Sequence, residues 1–199
     1  MLMDGLVNLL RQEFDVVGVA RDGRTMIEMA KDRRPDVIVT DISMPQLNGI
    51  DATRIIRKDM PSTKCVFLSM HADLPLVEEA FRVGASGFIL KTCDLSEFVE
   101  AIRSVAKGAT YITPLLGGDL VSTLMTAGPQ TPRDTPLSSR QREVLQLLAE
   151  GKTMKEAAAL MGISTRTAES HKYEIMRQLG VQTNAALVRY AVRIKLVSE

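Results

Sequence analysis

Three polar side chains stand at the carboxyl ends of apolar runs. Asp41 closes Val37-Ile38-Val39-Thr40, Ser69 follows Phe67-Leu68, and Lys91 follows Phe88-Ile89-Leu90. Short β-branched or apolar runs are the pattern of buried strands in a parallel sheet. In an open α/β sheet, ligands bind beyond the carboxyl ends of the strands. A carboxylate, a hydroxyl and an ammonium are therefore expected to converge on one edge. That set suits an aspartyl phosphate: the Asp41 carboxylate attacks a phosphoryl group, and Ser69 and Lys91 interact with its oxygens. The competing reading is that polar residues occur wherever strands meet water.

A second group is basic and lies near the carboxyl end. Residues 1–136 carry 15 basic and 18 acidic side chains, a net −3, whereas residues 137–199 carry 10 basic and 6 acidic, a net +4. Such a split predicts two modules with different partners, the basic one suited to phosphate backbones. Met154–Met161 has helical period, Gly162 makes a turn, and Thr165–Leu179 is a longer helix. In a pair of this kind the second helix enters the major groove of DNA by its N-terminal part. Ala168, Ile175 and Leu179 share one face and are expected to pack inward. Glu169, Ser170 and Tyr173 fall near the opposite face, in reach of base edges, although Glu169 repels phosphates and Tyr173 equally suits packing. Lys155, Ser164, Arg166, Thr167, Lys172 and Arg177 are candidate phosphate contacts, which fix register without reading sequence. His171 has no Cys or His at ligand spacing, so a hydrogen-bonded or phosphate-facing role is expected rather than a metal.

The elements that must position these residues are visible in the pattern. Phe14–Ala20, Val37–Asp41, Lys64–Met70 and Gly87–Lys91 read as strands. Helical stretches alternate with them: Gly5–Gln12, Thr25–Arg33, Gly49–Lys58, Leu76–Val83 and Leu95–Ala106. Strands alternating with helices imply a doubly wound parallel layer with right-handed crossovers. A break follows, opened by Thr113-Pro114 and closed by the Pro- and Gly-rich stretch 128–136, with a short helix expected at Leu120–Met125. Helices alone come after it: Ser139–Glu150, Met154–Met161, Thr165–Leu179 and Asn184–Leu196, with Gly151, Gly162 and Gly180 at the ends of the first three. The predicted division is thus 1–110, a linker over 111–136, and 137–199.

Composition narrows the class. The chain has 199 residues, 45% hydrophobic and 25% charged, with a formal charge of +1. These values fit folded globular modules and exclude a mostly disordered chain. No apolar run approaches the roughly 18 residues of a membrane span, and Met1-Leu2-Met3-Asp4 lacks the features of a secretory signal. Cys65 and Cys93 cannot build a disulfide framework or a Cys-only zinc site. They are read as reduced core thiols of a cytoplasmic protein.

The segment Pro35-Asp36-Val37-Ile38-Val39-Thr40-Asp41-Ile42-Ser43-Met44-Pro45-Gln46-Leu47-Asn48-Gly49 closely resembles the phosphoacceptor region of response-regulator receiver domains. Gly84-Ala85-Ser86-Gly87-Phe88-Ile89-Leu90-Lys91 resembles their last strand. The resemblance implies a flavodoxin-like α/β fold with Asp41 as phosphoacceptor, Ser69 as switch hydroxyl, Phe88 as switch aromatic and Lys91 as the paired lysine. It also implies Mg²⁺ held by Asp41 and the Ser43 carbonyl. Residues 137–197 are similar along their length to the LuxR-type helix-turn-helix domain, an all-α four-helix unit. That likeness implies double-stranded DNA as partner, a helix-turn-helix over about 154–173, and a homodimer through Val188, Ala191 and Val192 on the last helix. The whole resembles a NarL/FixJ-type two-component regulator served by a sensor histidine kinase.

One departure from the family pattern is plain. Receiver domains begin with a central strand ending in two acidic residues that share Mg²⁺ with the phosphoacceptor. Here the first helix starts almost at once, and Asp4 is the one acid before Glu13. Three readings stay open: a start further upstream, a degenerate receiver, or another chain filling the gap. The functional alternatives are a phosphorylated regulator and a phosphorylation-independent DNA-binding regulator whose receiver serves dimerisation or protein interaction. An enzyme acting on phosphoesters through Asp41 is the weakest rival, since neither G-x-G-x-x-G nor a P-loop appears and no second acid accompanies Asp41. No enzymatic activity is expected.

Overall fold

A computed structural model describes residues 2–70, 72–116 and 137–197. The chain splits into two compact units, one formed by Met1–Ile42 and Gly49–Gly128, the other by Ser43–Asn48 and Pro129–Glu199.

The first unit contains α1 (Leu2–Glu13), α2 (Gly23–Arg33), β1 (Val37–Asp41), α3 (Gly49–Asp59), β2 (Lys64–Ser69), α4 (Leu74–Arg82), β3 (Gly87–Leu90), α5 (Leu95–Ala106) and β4 (Tyr111–Ile112). The sheet is parallel and runs β1-β2-β3-β4. Alternation along the strands feeds two cores. Val66 and Ile89 face Phe98, Ala101, Ile102 and Val105 of α5, with Leu6 and Leu10 of α1 alongside. Phe67, Phe88 and Leu90 face Ile50 of α3 and Val77 and Ala80 of α4. A sheet covered on both faces explains why its strands read as continuous apolar runs rather than alternating ones.

Helix ends follow local chemistry. The Asp22 carboxylate accepts from the Arg24 and Thr25 amides at 3.0 and 2.9 Å and caps α2. The Asp94 carboxylate accepts from the Glu97 amide at 2.7 Å and caps α5. Helix α4 starts at Leu74, two residues earlier than its periodicity predicts, because Pro75 tolerates the first turn of a helix where no amide bond is required.

Two sequence expectations need correction. Phe14–Ala20 forms no strand, and β1 is an edge strand among the described residues. Its β-branched composition is sound, but a strand exists only through a ladder partner. None stands beside it among the described residues, and Val17 and Val19 remain 44% and 41% exposed. Conversely, Tyr111–Ile112 pairs with β3, so the sheet continues into the stretch expected to be linker. The expected helix at Leu120–Met125 and the segment 126–136 lie outside the described residues.

The two thiols differ. Cys65 is fully buried in β2, and burial pushes its pKa up to about 11 despite the opposing charge of Arg57. Burial also raises Cys93, helped by the Glu97 and Asp94 carboxylates, but its side chain is partly open. A bulky thiol reagent near neutral pH is expected to modify Cys93 and spare Cys65 until urea unfolds the sheet. Peptide mapping reads this directly, and modification of Cys65 in the native chain would contradict the packing.

Helices make up the second unit as described: α6 (Ser139–Ala149), α7 (Met154–Met161), α8 (Thr165–Leu179) and α9 (Asn184–Arg193). Val144, Leu145, Leu147, Ala157, Met161, Ile175, Leu187 and Ala191 form its core. Capping boxes open α6, through Ser138 and Gln141, and α7, through Thr153 and Glu156. Helix α9 ends at Arg193, three residues short of the sequence expectation.

The Glu156 carboxyl is held below its ordinary value of 4.5 by the Thr153 hydroxyl and amide. Its capping contribution is therefore complete at neutral pH and is lost as pH falls through the lowered folded-state pKa. Replacing Glu156 by Gln keeps an acceptor at N3 and removes the titration. Thermal melts across acidic pH are expected to show a steeper loss in the parent chain than in Glu156→Gln, and parallel curves would refute this.

Candidate functional site

The carboxyl ends of β1, β2 and β3 bring the predicted triad together. In register, Asp41 lies beside Leu68, and Ser69 beside Leu90. Asp41 Oδ2 accepts from Lys91 Nζ in a short ion pair. Their side chains are 33% and 27% exposed, so water screens part of the attraction and the pair is worth little as a stabiliser. Its consequence is placement: a cation is held at the Asp41 carboxylate. The Lys91 amide donates to the Ser69 carbonyl at 2.8 Å, which ties the second and third members of the set by backbone. Ser69 is buried at 5% exposure, and Phe88 is fully buried against Phe67 and Leu90. Ser43 is exposed, two residues beyond Asp41 in the chain.

Gly49 is indispensable to this edge. Its amide donates to the Ile42 carbonyl at 2.9 Å as the chain enters α3. A Cβ there would overlap the Asp41 carbonyl oxygen and stand 3.1 Å from Thr40 Oγ1. Only a residue without a side chain lets α3 start this close to the end of β1.

Thr113 was missed by sequence reasoning, which took Thr113-Pro114 as the start of a break. It is buried at 7% exposure, its amide donates to the Phe88 carbonyl at 3.0 Å, and its Oγ1 accepts from the Leu90 amide at 3.0 Å. A polar residue followed by proline gives no local sign of such a role.

The basic candidates gather on α7, α8 and the turn between them. Gly162 ends α7 with φ 65°, a left-handed conformation that glycine adopts without strain. Ser164 then caps α8, accepting from the Thr167 amide at 3.1 Å. Ala168 and Ile175 are fully buried, and Leu179 packs against the same core, as expected. Arg166, Glu169, Ser170, Tyr173 and Arg177 are exposed at helical spacing, as are Lys155, Ser164 and Thr167 nearby. Tyr173 is 63% exposed and so is not a packing residue in this unit. Lys172 Nζ stands 5.1 Å from its ring centroid, a cation–π contact. His171 is half-buried, with Nδ1 3.9 Å from Glu174 Oε2, too far for a hydrogen bond.

One dimer candidate changes place. Ala191 is fully buried in the core of its own unit, because it sits on the face of α9 that covers that core. Val188 and Val192 are half-buried.

Two family descriptions match the chain. Residues 1–103 match the response regulator receiver domain, and residues 135–191 match the luxR family of bacterial regulatory proteins. The chain belongs to the response-regulator family. This response regulator is 35% identical to the transcriptional regulatory protein MctR of Rhizobium johnstonii, over 100% of the chain and 92% of that protein. It is 34% identical to the oxygen regulatory protein NreC of Staphylococcus carnosus, over 94% of the chain and 89% of that protein. Among solved structures it is similar to RcsB from Salmonella enterica serovar Typhimurium, bound to promoter rprA in the presence of phosphomimetic BeF3−. That likeness has 27% identity and a TM-score of 0.58, covering 95% of this chain and 92% of that one. The response regulator thus joins a receiver domain to a LuxR-type DNA-binding domain.

Receiver domains typically bind Mg²⁺ at the phosphorylation site. That hard cation takes about six oxygen ligands, usually with at least one or two carboxylates. No group of three or more His, Cys, Asp or Glu residues that could hold a metal occurs among the described residues. Asp41 is moreover already engaged by Lys91. The described residues therefore do not fit a Mg²⁺ site of the family kind. No helix among them is long and apolar enough to cross a membrane.

Proposed function

We propose that this response regulator is a cytoplasmic transcription regulator that accepts a phosphoryl group on Asp41 from a sensor histidine kinase and binds promoter DNA through α8. The observation that carries the reading is the helix pair α7–Gly162–α8. Its inner face is sealed by Ala168 and Ile175, while Arg166, Glu169, Ser170, Tyr173 and Arg177 stand outward. Lys155, Arg166, Thr167, Lys172 and Arg177 meet phosphates, with Ser164 and His171 at the margins of the same contact. Glu169, Ser170 and Tyr173 meet base edges. Val188 and Val192 carry the homodimer contact, which matches the twofold arrangement such half-sites require. At the acceptor, Asp41 is the nucleophile, and Lys91 and Ser69 hold the transferred oxygens, with Phe88 as the aromatic that responds. The RcsB structure with promoter DNA and a phosphomimetic supports both halves by likeness.

DNA binding is tested with the full chain and duplex DNA across several salt concentrations. An association constant that falls linearly with salt on logarithmic axes is expected, and no binding even in dilute buffer would overturn the reading.

A second reading is favoured because no group of three or more His, Cys, Asp or Glu residues that could hold a metal occurs among the described residues. In it, the regulator binds DNA without phosphorylation, and the receiver serves dimerisation or protein interaction. Incubation with acetyl phosphate and Mg²⁺ followed by intact-mass measurement separates the two. Addition of one phosphoryl group, abolished in Asp41→Asn, supports the first. Unmodified mass with DNA binding intact supports the second.

A further inference from the structure

The α/β unit leaves its sheet in an unusual way. Tyr111 and Thr113 pair with β3 by ordinary ladder bonds, Tyr111 N to Ser86 O at 3.1 Å and Thr113 N to Phe88 O at 3.0 Å. In a parallel ladder the next donor, Leu90 N–H, would take the Thr113 carbonyl. Here it takes the Thr113 hydroxyl at 3.0 Å, and the Thr113 carbonyl instead accepts from the Leu116 amide at 2.9 Å. The side chain replaces one backbone acceptor, which frees the chain to turn away at Pro114, a residue with no amide to donate. Leu116 then lies 2% exposed in the cluster of Phe88 and Leu90.

The last two amides of the β3 end are thereby both committed. Leu90 donates to Thr113 on one side, and Lys91 donates to the Ser69 carbonyl at 2.8 Å on the other. Among the described residues these two bonds tie the end of β3 to its neighbouring segments, with the turn bond from the Cys93 amide to the Leu90 carbonyl at 3.0 Å beyond them, so the placement of Lys91 against Asp41 depends on them. We infer that Thr113 is a positioning residue for Lys91, connecting the segment that leaves the sheet to the Asp41–Lys91 pair through a single hydroxyl. The consequence for phosphoryl transfer rests on the reading of Asp41 as acceptor; the positioning itself does not.

The test uses the full chain with Thr113→Val, which keeps the shape and removes the acceptor, and Thr113→Ser, which keeps the acceptor. Lysine amines are modified competitively and the rate at each site is read by peptide mapping, with Lys64 and Lys107 as internal references. The Asp41 carboxylate held against Lys91 Nζ obstructs approach of the reagent, so loosening of Lys91 accelerates its modification. Thr113→Val is expected to speed Lys91 alone by about fivefold, the factor set by one net buried hydrogen bond, and Thr113→Ser is expected to restore the parent rate. Three outcomes overturn the inference: an unchanged Lys91 rate in Thr113→Val, a rise shared by Lys64 and Lys107, or equal rises in the Val and Ser variants. Acetyl phosphate uptake is measured on the same three chains. If the parent chain takes no phosphoryl group while Lys91 still responds as expected, the inference stands and the acceptor reading fails. If the parent is phosphorylated and Thr113→Val matches it in both assays, the acceptor reading stands and the inference fails.

Discussion

A Gly49→Ala chain is expected to lose its α/β unit well before its helical unit in a urea titration. The new Cβ would overlap the Asp41 carbonyl oxygen, a backbone atom that cannot rotate away as a flexible side chain can, and would also crowd the Thr40 hydroxyl. Relief requires moving the start of α3 or the end of β1. The first breaks the bond from Gly49 N to Ile42 O, and the second disturbs the strand that carries Asp41. Overpacking against backbone costs about 3 kcal/mol or more, a large share of the roughly 5–15 kcal/mol that holds a domain together. Reactivity of Cys65 reports the event, since that thiol is sealed inside β2. The Gly49→Ala chain is expected to expose Cys65 at a urea concentration where the parent protects it, with α-helical signal from the C-terminal unit retained. Coincident protection of Cys65 in both chains would show that α3 and β1 have more freedom than their spacing implies.

Arg166→Ala combined with Lys172→Ala is expected to weaken DNA binding at every sequence and to lower the salt slope by about 2. Each phosphate contact contributes roughly 0.9 to that slope through counterion release. Arg166 is exposed in the first turn of α8, and Lys172 lies half-buried two turns on over the Tyr173 ring. Neither belongs to the core of its unit, so the thermal melt should hardly change. Affinity at low salt is expected to fall on the order of a hundredfold if both contacts are lost. A reduced affinity that differs between sequences, with the slope unchanged, would instead place these side chains at base edges.

The pattern of residues went far toward this picture because much of it is local. Caps at Ser138, Thr153 and Ser164 and left-handed glycines at 162 and 180 bound the C-terminal helices within a few residues of chain. The convergence of Asp41, Ser69 and Lys91 was legible for a different reason. Parallel strands joined by right-handed crossovers all present the same end to one edge, so polar residues closing three apolar runs must meet there.

Other features depend on neighbours distant in sequence. Phe14–Ala20 has strand composition, yet whether it is a strand is settled by a partner beside it, and none stands there among the described residues. The last helix has apolar residues all along it, and only contact with the other helices assigns Ala191 to the core and leaves Val188 and Val192 half-buried. Thr113 and Pro114 carry the composition of a chain break, while the hydroxyl bond to Leu90 N arises from a strand more than twenty residues earlier. Residue types and their short-range spacing thus determined the helices, their ends and the edge where Asp41, Ser69 and Lys91 gather. Tertiary structure decided strand pairing, the inside of each helix and the anchor of Lys91, because hydrogen bonds across a sheet and burial against a core are properties of pairs of segments rather than of either segment alone.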